Sequence, residues 1–193
     1  MNIFSDLHNQ ELSNFLDEIL NNYYDKVITE NLSINFNKDG IELINASYKE
    51  AVSISIDFLD EAINNKIKSR LSGKKDIFSK LFPIKNSTLL DCTAGYGRDS
   101  YVLRSMGFNI TMIENSPIMS LLLNDALKKL KLSNFKMYHG NSYDYLNHSE
   151  KYYDYIYIDF MFDKLKKNSL SSKNDETLKL ISFQENNKNN LIR

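Results

Sequence analysis

Tryptophan is absent from this chain, cysteine occurs once and proline twice. The single thiol, Cys92, permits no internal disulfide, which fits a reducing compartment. No run approaches the roughly 18 apolar residues of a membrane span. The first residues also lack the basic head and apolar stretch of a secretory signal. The expectation is therefore a cytoplasmic protein that does not use a membrane. Charge of one sign is missing too: the net charge of −1 gives no global basic field, so any nucleic-acid site has to be a local patch. His8, His139 and His148 show no ligand spacing, and no metal is expected. What is plentiful is Asn, Ile and Lys, the bias that AT-rich codons produce. Eleven Phe and twelve Tyr in 193 residues supply bulk for one core, so the length suits one domain with a small appendage.

Hydrophobic periodicity divides the chain. Leu12, Phe15, Leu16, Ile19, Leu20 and Tyr23 recur at helical spacing. Leu32 to Phe36 alternates like a half-buried strand, Asp39-Gly40 marks a turn, and Ile41 to Ile44 returns as a second hairpin arm. Ala51 to Phe58 alternates again; a helix to about Leu71 and a short helix over 76–82, stopped near Pro83, follow. From Thr88 the pattern changes to strands alternating with helices. Leu89-Leu90, Phe108 to Ile113, Phe135 to Tyr138 and Tyr153 to Asp159 read as strands. Helices fit Arg98 to Met106, ended by Gly107, and Pro117 to about Leu130. That alternation implies parallel βαβ units. Beyond Lys164 the chain is mostly polar, with a weak helical pattern at Leu178, Ile181 and Phe183.

Four places at the ends of the expected strands carry candidate chemistry. Asp91-Cys92-Thr93-Ala94-Gly95-Tyr96-Gly97-Arg98-Asp99 runs from a strand through glycines into a helix. Such a turn lets a ligand approach the backbone and offers free N–H groups. It holds phosphate in a dinucleotide site, the methionine end of the cofactor in a methyltransferase, and nothing at all in an ordinary strand-to-helix turn. Glu114 ends the next strand, at the spacing from the glycine loop where a carboxylate accepts both ribose hydroxyls; alone it is a solvated strand-end acid. Asn115 is a neighbour that reaches ribose or adenine. Asn141-Ser142 follows the third strand and suits either an adenine edge or a plain turn. Asp159-Phe160-Met161-Phe162 follows the fourth. Amino-group methyltransferases place a short acid-or-amide turn with an aromatic there, to hold the amine and stack the base; otherwise Phe160 and Phe162 are core aromatics.

These segments together resemble the bacterial 16S rRNA guanine-N2 methyltransferases of the RsmJ type. Leu90 to Ser100 is similar to that family's Asp-Ala-Thr-Ala-Gly-Leu-Gly-Arg-Asp segment, and Met112-Ile113-Glu114-Asn115-Ser116-Pro117 to its Leu-Glu-Arg-Asn-Pro. His139-Gly140-Asn141-Ser142 resembles its His-Ala-Ser-Ser, and Tyr157-Ile158-Asp159-Phe160-Met161-Phe162 its Tyr-Leu-Asp-Pro-Met-Phe. The similarity runs over about residues 40–176. It implies a Rossmann-like class I sheet that binds S-adenosylmethionine. The cofactor residues would be Asp91, Gly95, Gly97, Arg98, Asp99, Glu114, Asn115, Asn141, Ser142 and Asp159, with Asp159 and Phe162 catalytic. The implied partner is 16S rRNA or the small ribosomal subunit.

The chain also departs from the family. Phe160 stands where the family has proline, and Asn115 where it has arginine. Leu71-Ser72-Gly73-Lys74-Lys75 keeps one glycine of a glycine-rich run. The family continues through three more strands after the Asp-Pro-Met-Phe turn, so the expectation is a shortened C-terminal half. The expected organisation is an α+β extension over residues 1–75, a methyltransferase core over 76–176 and a polar tail over 177–193. Lys66, Lys68, Arg70, Lys74 and Lys75 before the core, with Lys164, Lys166, Lys167 and Lys173 after the last turn, form either phosphate contacts around a flipped base or a solvated face. The alternatives are another DNA or RNA amino-methyltransferase, an inactive RNA- or nucleotide-binding remnant, and a NAD domain, the last disfavoured by the missing third glycine.

Overall fold

The computed structural model describes residues 2–5, 31–71, 77–84, 86–130, 135–159 and 172–181. The helix expected around Leu12 to Tyr23 lies outside these residues. Along the chain come β1 (Asn2–Ser5), β2 (Leu32–Asn37), β3 (Gly40–Asn45), β4 (Val52–Ile54), α1 (Glu61–Leu71), α2 (Ile77–Leu81) and β5 (Thr88–Asp91). Then follow α3 (Arg98–Ser105), β6 (Asn109–Glu114), α4 (Pro117–Leu130), β7 (Phe135–His139), α5 (Ser142–His148), β8 (Tyr155–Tyr157) and α6 (Lys173–Ile181). They form two compact units. One takes the described residues up to Ile56 together with α6, and the other those from Asp57 to Asp159. The expected division at 75/76 is a different cut, since α1 belongs with the second unit.

The second unit is built on a parallel sheet in the order β7-β6-β5-β8, the Rossmann-like arrangement that the alternation of strands and helices implies. Burial explains the sequence pattern strand by strand. The inner strands β5 and β6 are buried on both faces, through Leu89, Leu90, Ile110, Met112 and Ile113, and read as mostly apolar runs, with the buried Thr111 interrupting β6. The outer strands β7 and β8 alternate. Tyr155 and Tyr157 of β8 meet the rings of Phe82 and Phe78, while Ile156 points the other way and is half exposed. Among the described residues β8 pairs only with β5. Chain order runs β5, β6, β7 to one side and then returns to place β8 on the other side of β5, so the switch point of the sheet lies at β5.

Local signals set the helix ends. Ser116 caps α4, its hydroxyl accepting from the Met119 amide at 3.3 Å, and Pro117 opens the first turn. Gly107, at φ 103°, ends α3 in a conformation that a side chain would strain.

The first unit is a sheet of order β1-β2-β3-β4, parallel at β1–β2 and antiparallel elsewhere. The expected hairpin is β2–β3, turning at Asp39-Gly40, with the Asn37 side chain accepting from both turn amides. Leu32, Ile34, Phe36, Ile41 and Leu43 are buried. Glu42 is bonded by Asn35 and Ser53 on the opposite face, which holds its carboxyl below the usual range. The stretch beyond 177 is not wholly the polar tail expected. Thr177, Leu178 and Ile181 of α6 are buried, and most other α6 side chains face solvent. The buried Asn45 amide donates to the Thr177 hydroxyl at 2.9 Å.

That bond makes a prediction. Thr177→Val keeps the shape but leaves the Asn45 donor buried without its acceptor, at a cost of roughly 1–3 kcal/mol. Urea denaturation of the two proteins checks it, and an unchanged midpoint would detach α6 from the sheet.

Candidate functional site

The four strands described in the second unit run the same way, so their C-terminal ends share one edge. In an open parallel sheet that edge, at the switch point, is where ligands sit. Asp91, Glu114, Asn141 and Asp159 all arrive there, from β5, β6, β7 and β8 respectively.

Asp91 is the innermost of them, at 1% exposure. One carboxylate oxygen accepts from the Thr93 amide at 3.0 Å and the other from the Ser100 hydroxyl at 2.6 Å. It therefore spans both ends of the glycine turn. Burial disfavours its charge and pushes its pKa up to about 6, while those two bonds pull the other way. Asp91 is thus an internal brace rather than a group presented to a ligand.

Glu114 grips the same turn from the neighbouring strand. Its Oε2 accepts from the Gly95 amide at 2.8 Å and its Oε1 from the Ser116 amide at 2.7 Å. Burial raises its pKa, the two backbone bonds oppose this, and the charge of Asp91 adds to the rise. Gly95 and Gly97 both take left-handed backbone, at φ 52° and 66°. Gly97 is also a close approach: a Cβ there would stand 2.7 Å from Leu123 Cδ1 and 3.1 Å from Phe58 Cζ. The glycines are thus required by the turn itself.

Beyond β7 the chain passes through Gly140, at φ 144°, where an added Cβ would meet nothing within 4 Å. Its amide donates to the Glu114 carbonyl at 2.9 Å. Asn141 and Ser142 reach the edge as expected, but their side chains have structural partners. Asn141 Oδ1 accepts from the Tyr143 and Asp144 amides and caps α5, a helix the sequence pattern did not reveal. The Ser142 hydroxyl donates to the Cys92 carbonyl at 3.0 Å. Cys92 itself is buried, and burial pushes its thiol up to about 12, which leaves it unreactive.

Asp159 lies exposed at the end of β8, its amide 2.8 Å from the Thr93 hydroxyl. Tyr157 donates to Asp99 Oδ2 at 2.9 Å, and its own ionisation is pushed far up by burial and that carboxylate. Arg98 is exposed at the mouth of the glycine turn, its guanidinium 4.6 Å over the Tyr96 ring. Asn115 is half-buried between Glu114 and the α4 cap. Sequence reasoning missed Thr93, Ser100, Ser116 and Tyr157. The signal for Tyr157 was available: it shares the period-2 face of Tyr155.

Phe160, Met161 and Phe162 lie outside the described residues, as do Lys74, Lys75, Lys164, Lys166 and Lys167. Lys66, Lys68 and Arg70 fall on α1, where Lys68 is exposed. Lys173 begins α6 with its ammonium 5.4 Å over the Tyr48 ring. Among the described residues no group of three His, Cys, Asp or Glu side chains forms a metal site, and no helix is long and apolar enough to cross a membrane.

The family model described as "Putative SAM-dependent methyltransferase" matches residues 23–193. The "Ribosomal RNA small subunit methyltransferase J" of Alteromonas mediterranea is 34% identical over 141 residues, covering 68% of this chain and 54% of its own length. The protein of the same name from Buchnera aphidicola subsp. Schizaphis graminum is 29% identical over an alignment that takes in 100% of this chain and 82% of the relative. The chain thus spans about half the length of the first of these relatives. Among solved structures, the SAM-dependent methyltransferase from Neisseria gonorrhoeae superposes with a TM-score of 0.61 at 20% identity. It covers 84% of this chain and 70% of its own, and so shares the class I methyltransferase fold.

The buried Asp91 dictates a pH dependence. Its carboxyl is raised from 3.8 to about 6 in the folded chain, so the folded state holds the proton more tightly. That contribution to stability is present below about 3.8 and is lost as pH rises through about 6. Wild type should therefore lose roughly 1–3 kcal/mol between about pH 4 and pH 7 that Asp91→Asn does not lose. Urea titrations across that range give the difference, and parallel profiles would show that Asp91 ionises like an ordinary carboxylate.

Proposed function

Because the chain belongs to the family of S-adenosylmethionine-dependent methyltransferases whose model it matches, we propose that it binds S-adenosylmethionine at this edge and methylates the N2 amine of a guanosine in 16S rRNA. The observation that carries the reading is the carboxylate of Glu114 held beside the glycine turn at the switch point. The names of the ribosomal RNA methyltransferases it resembles support the substrate.

The residues present fit the cofactor. Each Glu114 oxygen accepts one short N–H bond, and a carboxylate oxygen carries a second lone pair, so the group keeps acceptor capacity for a ribose hydroxyl. The open space at Gly140, next to Glu114, admits the nucleoside without a side chain in the way. The turn from Gly95 to Asp99, with Arg98 exposed at its mouth, takes the methionine end. With Asn141 Oδ1 and Ser142 Oγ already engaged, recognition of adenine would fall chiefly to the backbone around Gly140. When bound, S-adenosylmethionine supplies the activated methyl group.

Asp159 works on the other reactant. Exposed at the end of β8, it accepts a hydrogen bond from the exocyclic amine and so fixes the direction of the nitrogen lone pair. Its negative charge also favours the positive charge that builds on that nitrogen. Phe162 would stack on the base. Lys68, with Lys66 and Arg70 of the same helix, would meet phosphates of the RNA. The partner is the rRNA or the small subunit that carries it, and such a substrate puts the chain in the cytoplasm.

Two measurements test this reading. Calorimetry with S-adenosylhomocysteine should show binding that Glu114→Ala weakens by about 1–3 kcal/mol. Tritiated-methyl transfer to 16S rRNA or 30S particles should yield N2-methylguanosine on nucleoside analysis, and Asp159→Ala should abolish it. Label in N6-methyladenosine instead would move the chain to the adenine-directed enzymes. Tighter binding of NAD than of S-adenosylhomocysteine would reject a methyltransferase altogether.

A further inference from the structure

From the bonds at the end of β8 we infer that Thr93 is a positioning residue, whose hydroxyl holds the backbone of Asp159 at the distance from the glycine turn that the acceptor amine requires. The inference rests on the role given to Asp159 above. The sheet itself cannot do this work. The ladder between β5 and β8 ends at the pair Asp91 and Tyr157, and its last backbone bond is the Cys92 amide to the Tyr157 carbonyl at 2.9 Å. Asp159 stands two residues beyond, exposed, and among the described residues no backbone rung reaches it. The Thr93 hydroxyl supplies the missing rung by accepting the Asp159 amide at 2.8 Å.

Thr93 is itself well placed to act as a reference point. Its amide is tied to the buried Asp91 carboxylate at 3.0 Å, and its hydroxyl also favours that carboxylate's charge. Through its amide to Asp91 and its hydroxyl to the Asp159 amide, Thr93 links the innermost acid of the site to the outermost. The neighbouring bond from Tyr157 to Asp99 fixes the strand but not the residue past it. Loss of the Thr93 hydroxyl would free the Asp159 backbone while leaving Glu114 and the glycine turn intact.

The test compares wild type with Thr93→Val and Thr93→Ser. Amide hydrogen exchange at Asp159 should speed up by roughly tenfold or more in Thr93→Val and return to the wild-type rate in Thr93→Ser. With 16S rRNA saturating, kcat should fall roughly ten- to a hundredfold in Thr93→Val, the scale set by a misplaced reacting group. Affinity for S-adenosylhomocysteine should stay within about twofold, and Thr93→Ser should recover the turnover. Wild-type exchange at Asp159 in Thr93→Val would overturn the inference, as would an unchanged kcat. So would a loss of S-adenosylhomocysteine affinity matching the loss of kcat, since Thr93 would then be serving the cofactor. A wild type that transfers no methyl group to rRNA would defeat the reading of the function, and the exchange comparison would still decide whether Thr93 holds Asp159.

Discussion

Two carboxylates at the ends of adjacent parallel strands close on a single turn of chain, and the arrangement of the whole edge depends on them. The segment from Asp91 to Ser100 has to reverse direction between β5 and α3 while leaving its backbone open to a ligand. Several of its amides therefore need partners other than strand carbonyls. Asp91 takes the Thr93 amide and the Ser100 hydroxyl from below, and Glu114 takes the Gly95 amide from the side. A buried acid is costly in its charged form, and two near one another cost more. Each hydrogen bond offsets part of that cost, which is why both acids are raised but still bonded as acceptors. The glycines follow from the same constraint. Gly97 runs at a positive φ where an added Cβ would crowd Leu123 and Phe58, so a side chain there would be both strained and in conflict with its neighbours.

Much of this was legible in the sequence because it is written in short-range patterns. The buried inner strands are mostly apolar at Leu89-Leu90 and over Ile110 to Ile113, where Thr111 is the one polar residue, and the helix starts and stops coincide with Ser116-Pro117 and Gly107. The acids Asp91, Glu114 and Asp159 stand at the three strand ends where they were expected. What was not legible is what each polar atom is bonded to. Asn141 reads equally well as a ligand contact or a cap. The structure shows the cap, on a helix fixed by Tyr145 and Leu146 of α5 packing against Leu90, Cys92 and Ile113. β1 has only four residues and gives no periodicity to detect. In α6 one buried face of Thr177, Leu178 and Ile181 is diluted by exposed polar neighbours, so a helix with a real anchor reads as a polar tail.

The same accounting explains why Glu114 suits a site for hydroxyl donors better than a site for phosphate. Its carboxylate is already oriented by two amides, at 2.8 and 2.7 Å, so a donor meeting its remaining lone pairs loses little in ordering it. Each further donor favours the charged form that burial disfavours, so such a ligand relieves a cost that the folded chain otherwise carries. A phosphate in the same place would set its charge against Glu114 and, behind it, Asp91. Both acids are raised as it is, and another anion would raise them further. The glycine turn alone does not choose between these ligands, since its glycines let either approach the backbone. The carboxylate beside it favours a nucleoside over a phosphate, in keeping with the cofactor site proposed at this edge.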